Sequence, residues 1–550
     1  MEYETNLSAD RRQAMVRAGL WPNRIFTDYF DEALAAAPLG VAISGADSGT
    51  GETVALTYRE LDRRVTRIAL GLAALGVQPG EVVSFQLANW WQYIALYLAC
   101  VRIGAVANPV MPIFRQRELR FMLNFADSKV VIAPARFRDF DYAAMLQQLR
   151  PDLKSVRHVF IVGGQGEQSF ERCFLERAWE KEQDAAALFR ARRPDPNAVT
   201  QLLYTSGTTG EPKAAMHTAN TLLSAALQYI KWVRLTGSDV VFMASPLAHQ
   251  TGFMYGMLVP VILKTKLVLL DIWSPAEAAR LIEAEKCTFT MASTPFLADL
   301  SSSEAVTREA VKTLRTFVCA GAPIPGVIVQ KATERLGIEV LSCWGMTENG
   351  AVTIARPGDP LEKIFGTDGK AIDGMEVRVV DADRRPVAPG TVGDLQARGM
   401  GSFVGYLKKP ALNATDAEGW FDTGDLARMD ADGYVRITGR SKDVIIRGGE
   451  NVPVVEIENL LYRHPKIQEV AVVAMPDARL VERACAFVAL KPGETLTLAE
   501  LTAFLAAEGM AKNYWPERLE LIDAMPRTPS GKIQKFKLRE VAAGFGAQPG

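Results

Sequence analysis

The segment YTSGTTGEPK, residues 204–213, sets Gly207 and Gly210 among the hydroxyls of Thr205, Ser206, Thr208 and Thr209, and ends in Pro212 and Lys213. It follows the apolar pair Leu202 and Leu203, at the end of a predicted strand. Glycine lets a backbone approach a ligand closely and reach positive φ without strain. Successive N–H groups in such a turn form a nest for anions, and the hydroxyls and Lys213 add donors and a charge. Phosphate binding is the chemistry this favours. The order G-T-T-G-E-P-K departs from the phosphate loop G-x-x-x-x-G-K-[ST], and Glu211, ahead of a proline, is turned away from helical angles. A phosphate loop of another design fits the ten residues, and so does a turn without a ligand.

Other stretches of small and polar residues accompany apparent strands: CAGAP (319–323), CWGMTEN (343–349), WFDTGD (420–425, ahead of a strand), GRSKDVIIRGGEN (439–451) and PRTPSGKIQK (526–535). An open α/β sheet binds ligands outside the carboxyl ends of its strands, and a few polar groups among small ones are what such a position requires. Singly, each has a plainer explanation. Asp425 could satisfy its own turn, Glu348 could favour a helix N-terminus, and Lys532 could be a solvated lysine. His249 and Trp344 could be core residues, RGGEN a hairpin turn, and SKD a plain linker.

The elements that must position these stretches are legible in the pattern. Runs such as EVVSFQL, KVVIAP, HVFIV, VVFMASP, KLVLL, TFTMAS, TFVCAG and IEVLSCW alternate with helical segments, which predicts mostly parallel sheets covered by helices. Residues 81–110 and 239–270 share one plan of strand, polar turn, apolar helix, break and strand, compatible with an old duplication. Beyond about residue 375 short strands split by Asp, Gly and Pro read as an antiparallel sheet or barrel. Beyond residue 440 the pattern is compact α+β, with Ile457, Leu460 and Leu461 on one helical face that stops at Pro465. The predicted organisation is an N-terminal unit over 1–438, a linker at 439–443 and a C-terminal unit over 444–550.

Composition excludes several classes. The chain has 550 residues, 48% hydrophobic and 23% charged, with a formal net charge of −1. No basic excess points to nucleic acid. Six cysteines without a C-x-x-C pair argue against a disulfide framework or zinc knuckle and for a reducing cytosol. None of the four histidines pairs at a metal-binding spacing. No signal-peptide core opens the sequence, and no apolar run meets the ~20-residue requirement for a membrane span.

Taken in register, the five stretches together with YTSGTTGEPK resemble the adenylate-forming superfamily of acyl- and aryl-CoA synthetases, luciferases and peptide-synthetase adenylation domains, over nearly the whole chain. RGGEN with PRTPSGKIQKF resembles its short- and medium-chain acyl-CoA synthetase and cyclohexanecarboxylate–CoA ligase branch. The resemblance implies a large N-terminal domain of mostly parallel sheets with helices and a small antiparallel barrel, then a small mobile C-terminal α+β domain. It implies an AMP-forming carboxylate–CoA ligase using ATP, Mg²⁺ and CoA, in which acyl-AMP and pyrophosphate form first and CoA then displaces AMP.

By the same resemblance, Thr205, Ser206, Gly207, Thr208, Thr209, Gly210 and Lys213 cradle the β- and γ-phosphates. Gly321, Ala322 and Pro323 hold adenine against Trp344, with Gly345 and Met346 alongside. Thr347 donates to the α-phosphate, and Glu348 carries Mg²⁺. Asp425 and Arg440 bind the ribose, and Lys532 bridges carboxylate and α-phosphate. Lys442 is the pivot, and Gly448, Gly449 and Glu450 line the pantetheine tunnel. His249, which the resemblance also groups with the catalytic residues, and Phe253 border the acyl pocket. The apolar stretch QTGFMYGMLV favours a small to medium monocarboxylate, alicyclic acids such as cyclohexanecarboxylate first, short-chain fatty acids next and aromatic acids third. A lysine acetyltransferase and deacetylase acting on Lys532, a cytoplasmic location and a monomer or homodimer complete the expectation. An enzyme that loads a free-standing carrier protein, and an inactive nucleotide-binding relative, are the alternatives.

Overall fold

A computed structural model describes residues 3–48, 51, 53–205, 212–321, 324–447, 450–477, 479–528 and 531–545. The β-branched runs become strands in the expected places. A nine-stranded sheet has at its centre the parallel strands Glu339–Met346, Thr316–Cys319, Phe289–Ala292, Val241–Met243, Leu267–Leu269 and Val41–Ala46, with antiparallel strands at its ends. A six-stranded sheet places Val199–Thr205 beside Val106–Pro109, Val82–Phe85, Val130–Pro134 and His158–Val162, all parallel. Its edge strand Lys213–Thr218 returns antiparallel to Val199–Thr205 and hands over to the helix Ala219–Val233. Thr218 caps that helix, its hydroxyl accepting from Thr221 N at 3.2 Å. Thr205 and Lys213 are therefore cross-strand partners at the base of the 206–211 connection.

The two similar strand–turn–helix–strand units fall in different sheets and meet through their polar turns. Buried Asn89 donates from Nδ2 to the carbonyls of Ser245 and Leu270, both at 3.0 Å, and its Oδ1 accepts from Leu247 N at 2.8 Å. Tyr93 adds a bond from its hydroxyl to Leu247 O at 2.7 Å. The helices behind these turns pack ring on ring, Tyr97 against Phe253 at 4.8 Å between centroids. This contact fixes the spacing of the sheets on the side where their carboxyl ends open.

The late antiparallel region is the four-stranded sheet Met375–Val380, Gly393–Gly399, Phe421–Met429 and Val435–Arg440. Among the described residues its edge strands do not pair with each other, so it is an open sheet rather than the expected small barrel. Val379, Leu395, Ala397, Ala427 and Val435 join the main hydrophobic cluster, so a neighbour already covers the apolar face that closure would bury. WFDTGD also differs from expectation: Phe421–Met429 is one strand, with Asp425 inside it opposite Arg440.

From Ile445 onward the apolar side chains form clusters of their own, around the strands Ile467–Asp477 and Val481–Leu490 and the helices Val454–Leu461, Leu498–Ala507 and Lys535–Ala543. Ile457 and Leu461 are buried as the periodicity predicts. Ile445–Arg447 and Glu450–Val452 pair antiparallel, so RGGEN forms a hairpin whose turn lies outside the described residues. No helix among the described residues is long and apolar enough to cross a membrane.

Asn89→Ala leaves two carbonyls and an N–H without partners in the interior, at ~1–3 kcal/mol for an orphaned group. The expected outcome is a loss of stability of about 3 kcal/mol, read as a lower urea midpoint of the N-terminal unit.

Candidate active site

A cavity of about 1120 Å³ opens where the nine-stranded sheet, the four-stranded sheet and the C-terminal unit converge. Its wall includes Thr205, Lys213, His249, Gly321, Gly345, Met346, Thr347, Glu348, Arg440 and Lys532. These residues come from parts of the chain up to more than three hundred positions apart, and the fold brings them to one space. Ser206, Gly207, Thr208, Thr209, Gly210, Ala322, Pro323, Gly448 and Gly449 lie outside the described residues, as do the side chains of Lys442 and Glu450.

The strand Glu339–Met346 ends at Thr347 and Glu348, and its pairing with Gly350–Ile354 is tight there: a Cβ on Gly345 would lie 2.2 Å from the Gly350 carbonyl oxygen. Only glycine allows the close approach that turns the chain and faces Glu348 into the cavity. Glu348 is 5% exposed. Its Oε1 accepts from the Tyr406 hydroxyl at 2.5 Å. Lys213 Nζ lies 3.5 Å from the same hydroxyl and 4.5 Å from the centre of the Tyr406 ring. The Thr347 carbonyl accepts from His217 Nε2 at 2.8 Å, which fixes the proton of that ring on Nε2. Burial holds His217 down at about 4, so it is neutral at physiological pH.

Asp425 is 4% exposed, beside its chain neighbour Gly424 and its ion-pair partner Arg440, both of which line the cavity. Its Oδ1 accepts from Arg440 Nε at 2.8 Å and its Oδ2 from Trp344 Nε1 at 3.0 Å. Trp344 is 8% exposed and turns its indole N–H to the Asp425 carboxylate, the acceptor that a buried N–H needs, which orients Asp425.

Lys532 enters from the C-terminal unit on a short hairpin. Its N–H donates to Thr528 Oγ1 at 3.0 Å, and its carbonyl accepts from Thr528 N at 2.7 Å. Gly531 holds φ +83°, and a Cβ there would lie 2.8 Å from Ser293 Oγ of the N-terminal unit. Arg527 clamps the hairpin by donating to the Gly531 carbonyl and to Glu469. Burial and the nearby Arg440 cation lower the Lys532 ammonium to about 8, against the opposing pull of Asp425 and Asp443.

His249 also lines the cavity. Its Nδ1 accepts from Thr251 N at 3.3 Å, and burial together with the Lys532 charge lowers it to about 4. It is a neutral ring with its proton on Nε2. Phe253 does not border the pocket: it is 0% exposed and committed to the Tyr97 contact, one step into the core along the helix. Tyr255, Met291, Ala320 and Ala351 form the apolar wall in its place. Tyr255 is anchored by its hydroxyl, which accepts from Ala351 N at 2.7 Å.

Sequence reasoning missed Tyr406, His217, Tyr255 and Met291. Only Tyr406 had a local signal, the turn-like GYLKKP that carries it. The others are placed by strand and helix register alone.

Comparison with known proteins gives this geometry a family. Residues 30–407 match the family model described as AMP-binding enzyme, and residues 456–532 match the AMP-binding enzyme C-terminal domain. The chain is 37% identical over 547 residues to the medium-chain fatty-acid–CoA ligase of Escherichia coli (strain K12), covering 98% of this chain and 94% of that protein. It is 32% identical over 547 residues to a salicylyl-CoA synthase / salicylate adenylyltransferase of Streptomyces sp, covering 98% and 96%. The crystal structure of ATP-bound MatB from Rhodopseudomonas palustris superposes with a TM-score of 0.81 at 28% identity, covering 95% of this chain and 100% of that one. With both family models matched in order along one chain, and Lys532 of the second lining one cavity with Glu348 of the first, the chain belongs to the AMP-binding family of adenylate-forming enzymes.

Proposed function

We propose that this protein is an AMP-forming acyl-CoA ligase acting on a medium-chain or alicyclic monocarboxylic acid. The observation that carries the reading is the convergence of Lys532, Thr347, Glu348 and the Thr205/Lys213 strand pair on one cavity that continues into an apolar wall.

In the first step a carboxylate oxygen attacks the α-phosphorus of ATP, and the bond to the bridging oxygen of pyrophosphate breaks. Two anions must approach each other, so positioning and electrostatics carry the catalysis. Lys532 supplies a cation between the carboxylate and the α-phosphate, where negative charge develops. The Thr347 hydroxyl donates to the α-phosphate, and Thr205 and Lys213 stand at the base of the turn for the β- and γ-phosphates. Asp425 keeps one lone pair on each carboxylate oxygen after serving Trp344 and Arg440, enough for the two ribose hydroxyls. Glu348 lines the cavity with one carboxylate oxygen bonded to Tyr406, and no three potential ligands gather among the described residues. That suits Mg²⁺, which takes one or two protein carboxylates and otherwise phosphates and water; it would neutralise charge on the triphosphate.

In the second step the sulfur of CoA attacks the acyl carbonyl carbon, and the bond to AMP oxygen breaks. Rotation of the C-terminal unit about Lys442 withdraws Lys532 and brings Gly448, Gly449 and Glu450 to the tunnel. Tyr255, Met291, Ala320 and Ala351 make this part of the wall mostly apolar, which supports an alkyl or cyclohexyl tail, and the likeness to a medium-chain fatty-acid–CoA ligase supports the same class. The reading also includes a cytoplasmic enzyme, monomeric or homodimeric, with Lys532 open to acetylation, which would abolish its charge.

The test is AMP and pyrophosphate release over butyrate to dodecanoate, cyclohexanecarboxylate and benzoate, with and without CoA. Medium-chain and cyclohexyl acids are expected to lead, with neighbours in the series close behind, since a methylene in an apolar pocket discriminates by only ~1–3 kcal/mol. No AMP with any acid would overturn the reading. Lys532→Ala is expected to slow adenylation by about 10²–10³-fold while leaving conversion of preformed acyl-AMP to thioester intact; equal loss in both would refute the role. Because Lys532 loses its proton as pH rises through about 8, the adenylation rate is expected to fall about tenfold per unit well above that pH, with no matching inflection in thioester formation.

A further inference from the structure

Tyr406 joins the two charged groups that flank the phosphate region of the cavity, and nothing in the sequence motifs assigns it a task. Its hydroxyl has one proton, and that proton goes to Glu348 Oε1 at 2.5 Å. Its oxygen lies 3.5 Å from Lys213 Nζ, whose ammonium also sits over the ring at 4.5 Å. The cation polarises the hydroxyl toward a stronger bond with the carboxylate, as linked hydrogen bonds do in a low-dielectric interior. A glutamate with one oxygen tied is no longer free to spin about its last torsion, which is broad and soft when untied. Its second oxygen is then held toward the cavity.

The backbone around this pair is fixed independently. Phe403 N donates to the Glu348 carbonyl at 2.6 Å, and Tyr406 N donates to Asn413 Oδ1 at 2.9 Å. The Tyr406 ring packs edge-on against Phe403 at 4.8 Å. Arg11, from the N-terminal helix, donates to the carbonyls of Ser402 at 2.5 Å and Phe403 at 3.2 Å. The loop that carries Tyr406 is thus bound from behind by residues nearly four hundred positions away, and the hydroxyl meets Glu348 at a set point.

We propose that Tyr406 is a positioning residue for the metal–triphosphate: by holding one oxygen of Glu348 it presents the other to the divalent ion that travels with ATP. The inference rests on the ligase reading for its biological meaning, but binding of metal and nucleotide can be measured without any acid.

The experiment uses the full chain with a non-cleavable ATP analogue carrying a methylene between the α- and β-phosphates, and follows Mn²⁺ binding by electron paramagnetic resonance. Tyr406→Phe removes the hydroxyl and keeps the ring. It is expected to weaken Mn²⁺ in the ternary complex by about 10-fold, the lower range for loss of a partner that orients a metal ligand. AMP, which brings no β- or γ-phosphate, is expected to bind as in the wild type. Glu348→Gln is expected to weaken Mn²⁺ at least as much, and adding Tyr406→Phe to it is expected to cost nothing more, because the hydroxyl acts through that carboxylate. Unchanged Mn²⁺ affinity in Tyr406→Phe, or additive losses in the double variant, overturns the proposal; so does a wild type that binds no Mn²⁺ with the analogue. Should Tyr406→Phe fail to fold, 4-aminophenylalanine in place of Tyr406 supplies an N–H donor at the same point. Wild-type Mn²⁺ affinity there supports the donor role, and a tenfold loss overturns it. A protein that passes these tests yet forms no AMP with any acid would refute the ligase reading alone.

Discussion

The structure depends on keeping a half-buried lysine charged. Burial alone lowers the Lys532 ammonium, and Arg440 across the cavity lowers it further. The Asp425 and Asp443 carboxylates work against both. Their balance leaves the group near 8, protonated at neutral pH yet weakly enough solvated to act strongly on an anion. Asp425 therefore has two tasks that share one geometry. It offsets the Arg440 cation, and with Trp344 holding its second oxygen it stays aimed at the same place. An Asp425 without Trp344 would be free to turn fully to Arg440, and the charge balance at Lys532 would shift with it.

The rest of the site is a rigid frame for that lysine. Asn89 fixes how far apart the two sheets stand, Gly345 turns the end of a central strand, and His217 holds the Thr347 carbonyl from below. His217 and His249 both titrate far below physiological pH because the interior disfavours their charged form. Attack by a carboxylate already ionised in water requires no general base.

Much of this was legible beforehand, and the failures follow a pattern. Period-two and period-three-to-four patterning placed the strands and helices, because burial on one face leaves a mark on every turn of the chain. The glycine-rich and hydroxyl-rich stretches announced themselves because strand-end binding needs small residues. A residue whose task depends on which way it points was misread: Phe253 is an aromatic residue next to the right motif, but register turns it into the core. Tyr255, two positions along the same helix from Phe253, reaches the wall instead. A π-helical stretch, Gly252–Leu258, sets that register, and its wider turn cannot be read from apolar spacing at 3.6 residues. The antiparallel region was predicted as a sheet or barrel, and which of the two it becomes is decided by the neighbour that covers its face.

The two halves of the site are built to different stiffness, and the ion pairs at the junction show where one gives way to the other. Arg440 is tied to Asp425, and Ser441 Oγ donates to the Gly424 carbonyl at 3.1 Å, so both belong mechanically to the N-terminal unit. Asp443 is bound to Arg539 of the last helix, so it moves with the C-terminal unit. The change of allegiance falls between Ser441 and Asp443, which supports Lys442 as the residue that absorbs a rotation. On the far side of it, the hairpin of Lys532 approaches the N-terminal unit at Gly531, where an added Cβ would lie 2.8 Å from Ser293 Oγ and 3.2 Å from Pro295 Cγ. On the proposed two-step reading, that close glycine approach would let the cation arrive for one reaction and leave before the next, while Glu348, bonded to Tyr406, would keep its place.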